Sequence, residues 1–196
     1  MALRRIDRRA DGSMLGIWQM TECEKELPCP IGLDLSTLKN ATRRLEKLCT
    51  HALLRAMTGR DLIIHTLPSG RPVTEGWEIS ISHTRGWVAV LLAKNKKVGV
   101  DIEYQSDRVN RIVNRFMRSD ERQESLIGRL ICWCAKETVY KLLSEEDLQY
   151  AQMRMKPFVP AGHGVVLVED LMTGAQINVT YEVMEEFVLT WAEMSK

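Results

Sequence analysis

The stretch Val98-Gly99-Val100-Asp101-Ile102-Glu103 constrains this chain more tightly than any other. Side chains on a strand alternate between faces, so Val98, Val100 and Ile102 enter a core while Asp101 and Glu103 stand side by side on the other face. Gly99 shares the acidic face and leaves room above the strand. Two adjacent carboxylates repel unless a cation lies between them. A partial set of hard oxygen ligands suits magnesium, which takes one to three carboxylates together with water and substrate phosphates. An isolated Asp-x-Glu is more often a solvated strand face, because the pattern is short and common.

Around this strand the hydrophobic periodicity predicts an α+β chain. Leu15 to Met20 reads as a first strand, and Pro28, Pro30 and Gly32 mark a loop. From Ser36 to Met57, Leu38, Ala41, Leu45, Leu48, Ala52, Leu53 and Ala56 recur at helical spacing, with Gly59 as the stop. Glu78–Ser82, Trp87–Ala93 and Val98–Glu103 read as strands, the last two joined by a hairpin loop at Lys94-Asn95-Lys96-Lys97. A basic stretch from Arg108 to Arg118 leads into a second helix, Glu121–Leu143, with Ile127, Ile131, Ala135, Thr138 and Leu142 as its buried stripe. Two further strands fall near Ile177–Val183 and Phe187–Trp191. Strand, helix and strands thus recur, as two related α+β halves meeting after Glu103, residues 1–103 and 104–196. No low-complexity linker separates them, so one compact unit is expected.

Composition excludes several classes. With 196 residues, 45% hydrophobic, the chain can bury a real core. A net charge of +1 argues against nucleic acid as a partner. The longest apolar run, Trp87–Ala93, is far too short to span a membrane. Arg4, Arg5, Arg8 and Arg9 precede no apolar segment, so they do not read as a targeting signal. Cys23, Cys29, Cys49, Cys132 and Cys134 are odd in number and have no zinc-knuckle or thioredoxin spacing; reduced thiols in a cytoplasmic protein are expected.

The second helix makes the acidic strand more pointed. In Trp133-Cys134-Ala135-Lys136-Glu137-Thr138-Val139-Tyr140-Lys141, Glu137 and Lys141 are four apart and neighbours on one face. They read either as a surface ion pair or as a third carboxylate and a phosphate-binding ammonium on a cleft wall. Ser82 and His83 end a strand, and Arg71 is held on a turn between Gly70 and Pro72. Hydroxyl, imidazole, guanidinium and ammonium groups together can bind several phosphates. No Walker loop, dinucleotide fingerprint or His-Glu-x-x-His pattern is present.

Ser82-His83, Val98 to Glu103 and Trp133 to Lys141, in this order and spacing, resemble the signature of the 4'-phosphopantetheinyl transferases. Ser69-Gly70-Arg71-Pro72 is similar to that family's Gly-Lys-Pro turn, and Arg115-Phe116 to its Arg-Phe segment. The likeness runs from about residue 37 to 143. The length resembles the surfactin-synthetase-activating type, which implies a monomer of two similar lobes related by a pseudo-twofold, each a long helix on a small, mostly antiparallel sheet, with the active site between them. The resemblance implies transfer of 4'-phosphopantetheine from coenzyme A to a serine of an apo carrier protein, with release of adenosine 3',5'-bisphosphate. It assigns magnesium to Asp101, Glu103 and Glu137, the coenzyme to Arg71, Ser82, His83 and Lys141, and catalysis to Glu137 as base with Lys141 at the pyrophosphate. Carrier proteins of this kind are acidic, so Arg108, Arg111, Arg115 and Arg118 form the expected docking face. Two residues depart from the pattern. Arg71 replaces a lysine, which keeps charge but alters geometry. His51 stands where an arginine often reaches the coenzyme, and histidine is shorter and largely neutral at pH 7. Arg43, Arg44 or Arg55 would have to compensate. This departure motivates the alternative of a non-catalytic relative that binds coenzyme A or a carrier and regulates.

Overall fold

A computed structural model describes residues 2–30 and 32–196. The chain divides into two compact units, Met1–Lys96 and Lys97–Lys196. In the first, β1 (Leu3–Arg8) and β2 (Met14–Gln19) form an antiparallel hairpin. Next come α1 (Ala41–Thr58), β3 (Ile64–Thr66), β4 (Pro72–Thr74), β5 (Glu78–Thr84) and β6 (Trp87–Ala93). The main sheet has the order β1-β2-β6-β5, and β3 pairs with β4 as a separate hairpin. The apolar run of β6 is buried throughout, as befits a strand flanked on both edges and both faces.

Helix α1 starts at Ala41 rather than Ser36 because Asn40 caps it, its side chain accepting from the Arg43 N–H at 3.3 Å. It ends as expected at Gly59, whose φ of 76° is left-handed. Cys49, Leu53, Leu54 and Met57 pack it onto Met14, Ile79, Val88, Val90 and Leu92. The approach is close at β2: a Cβ on Gly16 would lie 2.6 Å from Met57 Sδ.

In the second unit β7 (Lys96–Tyr104) is followed by α2 (Arg108–Phe116), α3 (Leu126–Leu142) and a 3-10 turn at Tyr150–Gln152. Then come β8 (Met153–Met155), β9 (His163–Asp170), β10 (Gln176–Val183) and β11 (Phe187–Ser195), in a sheet of order β7-β11-β10-β9-β8. Ile131, Ala135, Val139 and Leu142 of α3 pack with Val166, Val168, Ile177, Val179, Val188 and Ala192. Of the expected stripe, Ile127 alone is only partly buried.

Three sequence expectations change. The loop at Lys94 to Lys97 does not close a hairpin: both edges of β6 are taken, by β2 and β5, and β7 pairs with β11 instead. That pairing puts β7 in the second unit. The basic stretch is itself a helix, α2, and Ser125 caps a separate α3 by accepting from the Gly128 N–H at 3.0 Å. Finally, Gly99 leaves no room above its strand. A Cβ there would lie 2.2 Å from the Thr138 carbonyl oxygen and 3.1 Å from Leu142 Cβ, so α3 lies directly on β7.

Among the described residues no helix is long and apolar enough to cross a membrane. All five cysteines are free thiols, and burial is the main cause pushing Cys49 and Cys132 up to about 12, so neither ionises at neutral pH.

Replacing Gly99 with alanine should cost about 1–3 kcal/mol, because two backbones must part. Alanine at Gly162, where an added Cβ meets nothing within 4 Å, should be close to neutral. Urea unfolding of both variants checks the contrast, and equal midpoints would refute the close-approach account.

Candidate active site

The contact at Gly99 sets two helical residues beside the strand's carboxylate. Glu137 and Lys141 flank the Thr138 carbonyl on α3, and Asp101 lies two residues beyond Gly99 on the same face of β7. Lys141 Nζ donates to Asp101 Oδ1 at 2.7 Å and to the Val100 carbonyl at 3.0 Å. Asp101 is buried and Lys141 partly so. The Glu137 to Lys141 pairing suggested by their four-residue spacing is thus replaced by a cross-element one. Glu137, half-buried, accepts a hydrogen bond at Oε1 from the Tyr150 hydroxyl. Burial holds the Glu137 carboxyl above its ordinary range, and the charge of Asp101 adds to this, while Tyr150 and Lys141 oppose it. Two carboxylates therefore sense each other here, in surroundings that disfavour a second negative charge.

Glu103, further along β7, lines a cavity of about 70 Å³ with Ser106, Arg108, Val109, Ile112, Leu130 and Trp133. Among the described residues, no three His, Cys, Asp or Glu side chains stand together as a ready metal cluster. Asp101 is turned to Lys141 and Glu137 to Tyr150. The donors are nonetheless of the right kind for a hard cation: carboxylate oxygens, two of them coupled closely enough that the charge of one raises the pKa of the other. Tyr150 carries no mark in the sequence. Its partner Glu137 lies 13 residues earlier, beyond any helical spacing.

The charged group next to Glu137 serves the scaffold. Lys136 is fully buried. Its ammonium donates to Glu121 Oε2 at 2.8 Å and to the carbonyls of Phe116 at 2.7 Å and Tyr150 at 3.4 Å. Glu121 in turn accepts from the N–H groups of Arg118 and Met155. Every proton of the ammonium is used, which is the condition for burying such a charge. Burial is the main cause lowering the Lys136 pKa, with Glu121 opposing it.

In the first unit a cavity of about 260 Å³ is lined by, among others, Lys47, Thr50, His51, Thr66, Gly70 and His83. Thr50 Oγ1 donates to the Glu46 carbonyl at 2.7 Å and lies 2.9 Å from His83 Nε2. His51 and His83 therefore line one cavity. Ser82 is buried and does not line it. Arg71 sits between two lining residues, but its guanidinium donates to Glu78 at 2.7 Å. The arginines that would compensate for His51 are engaged elsewhere: Arg43 with Glu46, Arg44 with Glu24 and Arg55 with Asp61. Lys47 and Thr50, four and one residues before His51, are the residues that sequence reading overlooked. The four-residue spacing of Lys47 from His51 was an available signal; Thr50, adjacent to His51 in sequence, carried none.

His51 is buried, and desolvation is the main cause holding its pKa below the usual histidine value; Lys47 acts in the same direction, while a hydrogen bond to the Leu62 backbone and the charge of Asp61 oppose. The imidazole is neutral in the folded chain at pH 7.

Residues 97–192 match the 4'-phosphopantetheinyl transferase superfamily, a span that holds Asp101, Glu103, Glu137 and Lys141 together. The second unit is thus similar to that superfamily over nearly its whole length. A Haemophilus influenzae protein provisionally named a 4'-phosphopantetheinyl transferase is 32% identical over 53% of this chain and 51% of its own length. The chain thus spans about half the length of that relative.

A lowered His51 pKa makes stability acid-sensitive with a definite sign. The unfolded chain takes up the proton first, near pH 6.5, and the folded chain only at lower pH. Unfolding free energy should therefore fall as pH drops from about 6.5 through the folded-state value. His51→Gln, which cannot titrate, should flatten that part of the profile in denaturant titrations between pH 7 and 5. An unchanged slope would show that His51 is not the group responsible.

Proposed function

We propose that this chain transfers 4'-phosphopantetheine from coenzyme A to a serine hydroxyl of an apo carrier protein. The observation that carries the reading is the Asp101–Lys141 ion pair with Glu137 beside it, inside the segment that matches the superfamily. Asp101, Glu103 and Glu137 would hold magnesium, which when bound offsets negative charge on the pyrophosphate oxygens. The serine oxygen attacks the β-phosphorus, the bond from that phosphorus to the bridging oxygen breaks, and adenosine 3',5'-bisphosphate leaves. Glu137 takes the serine proton; its raised pKa brings it toward the range useful in a general base. Lys141, whose ammonium lies at Asp101, would supply that positive charge to the leaving phosphate.

In the first unit Lys47, His51 and His83 would receive the far end of the coenzyme, with Ser82 and Arg71 supporting. Arg71 must exchange Glu78 for a phosphate to take part. The carrier would meet α2, where Arg108, Arg111 and Arg115 are exposed on one face while Val109 and Phe116 are buried on the other. Arg118 lies outside this face, paired with Asp120 and the Ala151 carbonyl. We infer a cytoplasmic monomer, as expected of a transferase with both halves in one chain.

One observation favours the second reading, a non-catalytic binder of coenzyme A or carrier: the cavity in the first unit has a neutral His51 and a neutralised Arg71. Incubation with coenzyme A, magnesium and an apo carrier, followed by weighing the carrier, separates the two. We expect a mass gain of one phosphopantetheine group; binding of coenzyme A with no gain across a panel of carriers would favour the regulator.

Glu137→Gln and Asp101→Ala should each lower the transfer rate by about 10²–10³-fold or more, the scale of losing one oriented charge at a reacting phosphate, while the chain stays folded by circular dichroism. Wild-type rates in both would overturn the metal and base assignment.

Reversing Arg111 and Arg115 to glutamate should raise KM for the carrier by about 10-fold or more and leave that for coenzyme A unchanged. Parallel changes in both would exclude α2 as the docking face.

A further inference from the structure

Glu137 is held by a residue from outside its own helix. Tyr150, on the 3-10 turn after α3, donates its hydroxyl to Glu137 Oε1. Its ring lies against Trp133 at 5.4 Å between centroids, and Trp133 meets Phe116 edge-on at 5.2 Å. The Tyr150 carbonyl accepts from Lys136, whose ammonium also grips the Phe116 carbonyl and Glu121. Thus the residue before Glu137 fixes the backbone of Tyr150, a residue one turn earlier on α3 fixes its ring, and the hydroxyl returns to Glu137 itself. A glutamate side chain has three rotatable bonds and settles in one arrangement only if its neighbours impose it. Lys141, whose charge acts on Glu137, is already committed to Asp101 and the Val100 carbonyl.

We propose that Tyr150 is a positioning residue: its hydroxyl occupies one oxygen of Glu137 and so presents the other to the cation and the attacking serine. This rests on the reading of Asp101, Glu103 and Glu137 as cation ligands. Groups that orient a metal ligand are commonly worth 10–100-fold in metal affinity or activity. The tyrosine does so without adding charge, and it stands on a segment whose own place is set by the buried Lys136–Glu121 pair.

Tyr150→Phe tests this, because it keeps the ring against Trp133 and the carbonyl accepted by Lys136 and deletes only the hydroxyl. Mn²⁺ serves as probe, titrated into wild type, Tyr150→Phe and Asp101→Ala and followed by electron paramagnetic resonance, with urea unfolding of each metal-free chain alongside. We expect Mn²⁺ affinity to fall about 10-fold in Tyr150→Phe, with the unfolding midpoint close to wild type, and the Mg²⁺ needed for half-maximal transfer to rise to match. If Asp101→Ala abolishes binding and Tyr150→Phe binds like wild type, the positioning role is overturned and the metal reading stands. If wild type itself binds no Mn²⁺ that Asp101→Ala removes, both fall. Should Tyr150→Phe prove unstable, the double variant with Glu137→Gln decides. A hydroxyl acting through Glu137 costs no further Mn²⁺ affinity once that carboxylate is gone, whereas a merely structural tyrosine costs the same in either background.

Discussion

The second unit depends on a contact that leaves no space for a side chain. Where Gly99 meets the Thr138 carbonyl, strand and helix backbones touch, and α3 lies lower on β7 than any residue with a Cβ would permit. The consequence is geometric. Helix positions on either side of Thr138 come level with the strand position two beyond Gly99, so Lys141 reaches both Asp101 and the Val100 carbonyl. Without that approach the ammonium and the carboxylate would each stay hydrated, and a hydrated pair on the surface contributes little.

Bringing polar groups this deep creates a cost that the scaffold must offset. Lys136 shows how: a fully buried ammonium satisfied by a carboxylate and two carbonyls, the carboxylate itself satisfied by two backbone N–H groups. Such a pair is weak evidence for net stability, since apolar residues of the same volume often do as well. Its effect here is positional. It ties the end of α2, the segment before α3 and the turn at Tyr150 to a single point on α3, next to Glu137.

The first unit uses the same device with different chemistry. Gly16 lets Met57 and Leu53 of α1 settle onto β2, and the helix then presents Thr50 and His51 to the cavity that His83 enters from β5. The charge pattern differs from that in the second unit. The arginines of this region are matched with carboxylates, and the exposed Lys47 brings positive charge to a cavity whose buried imidazole, His51, is neutral.

Much of this was legible in the chain. Local periodicity located α1 and α3, the strands β5, β6 and β7, and the final pair β10 and β11, because burial on one face imposes a period on sequence. The spacing within each element set Asp101 with Glu103 and Glu137 with Lys141 for the same reason: strand and helix periods decide which side chains can share a face. What sequence could not decide is what each face meets. Strand pairing depends on which edges remain open, so β7 joins β11 and not β6. The partner of Lys141 is Asp101 and not Glu137, since the helix meets the strand at a glycine. Tyr150 reaches Glu137 through a turn with no period at all. The sequence alone determined which residue types could share an acidic strand face and a helix face. Tertiary packing decided which of them touch, because contacts between elements depend on backbone approach, which no single element encodes.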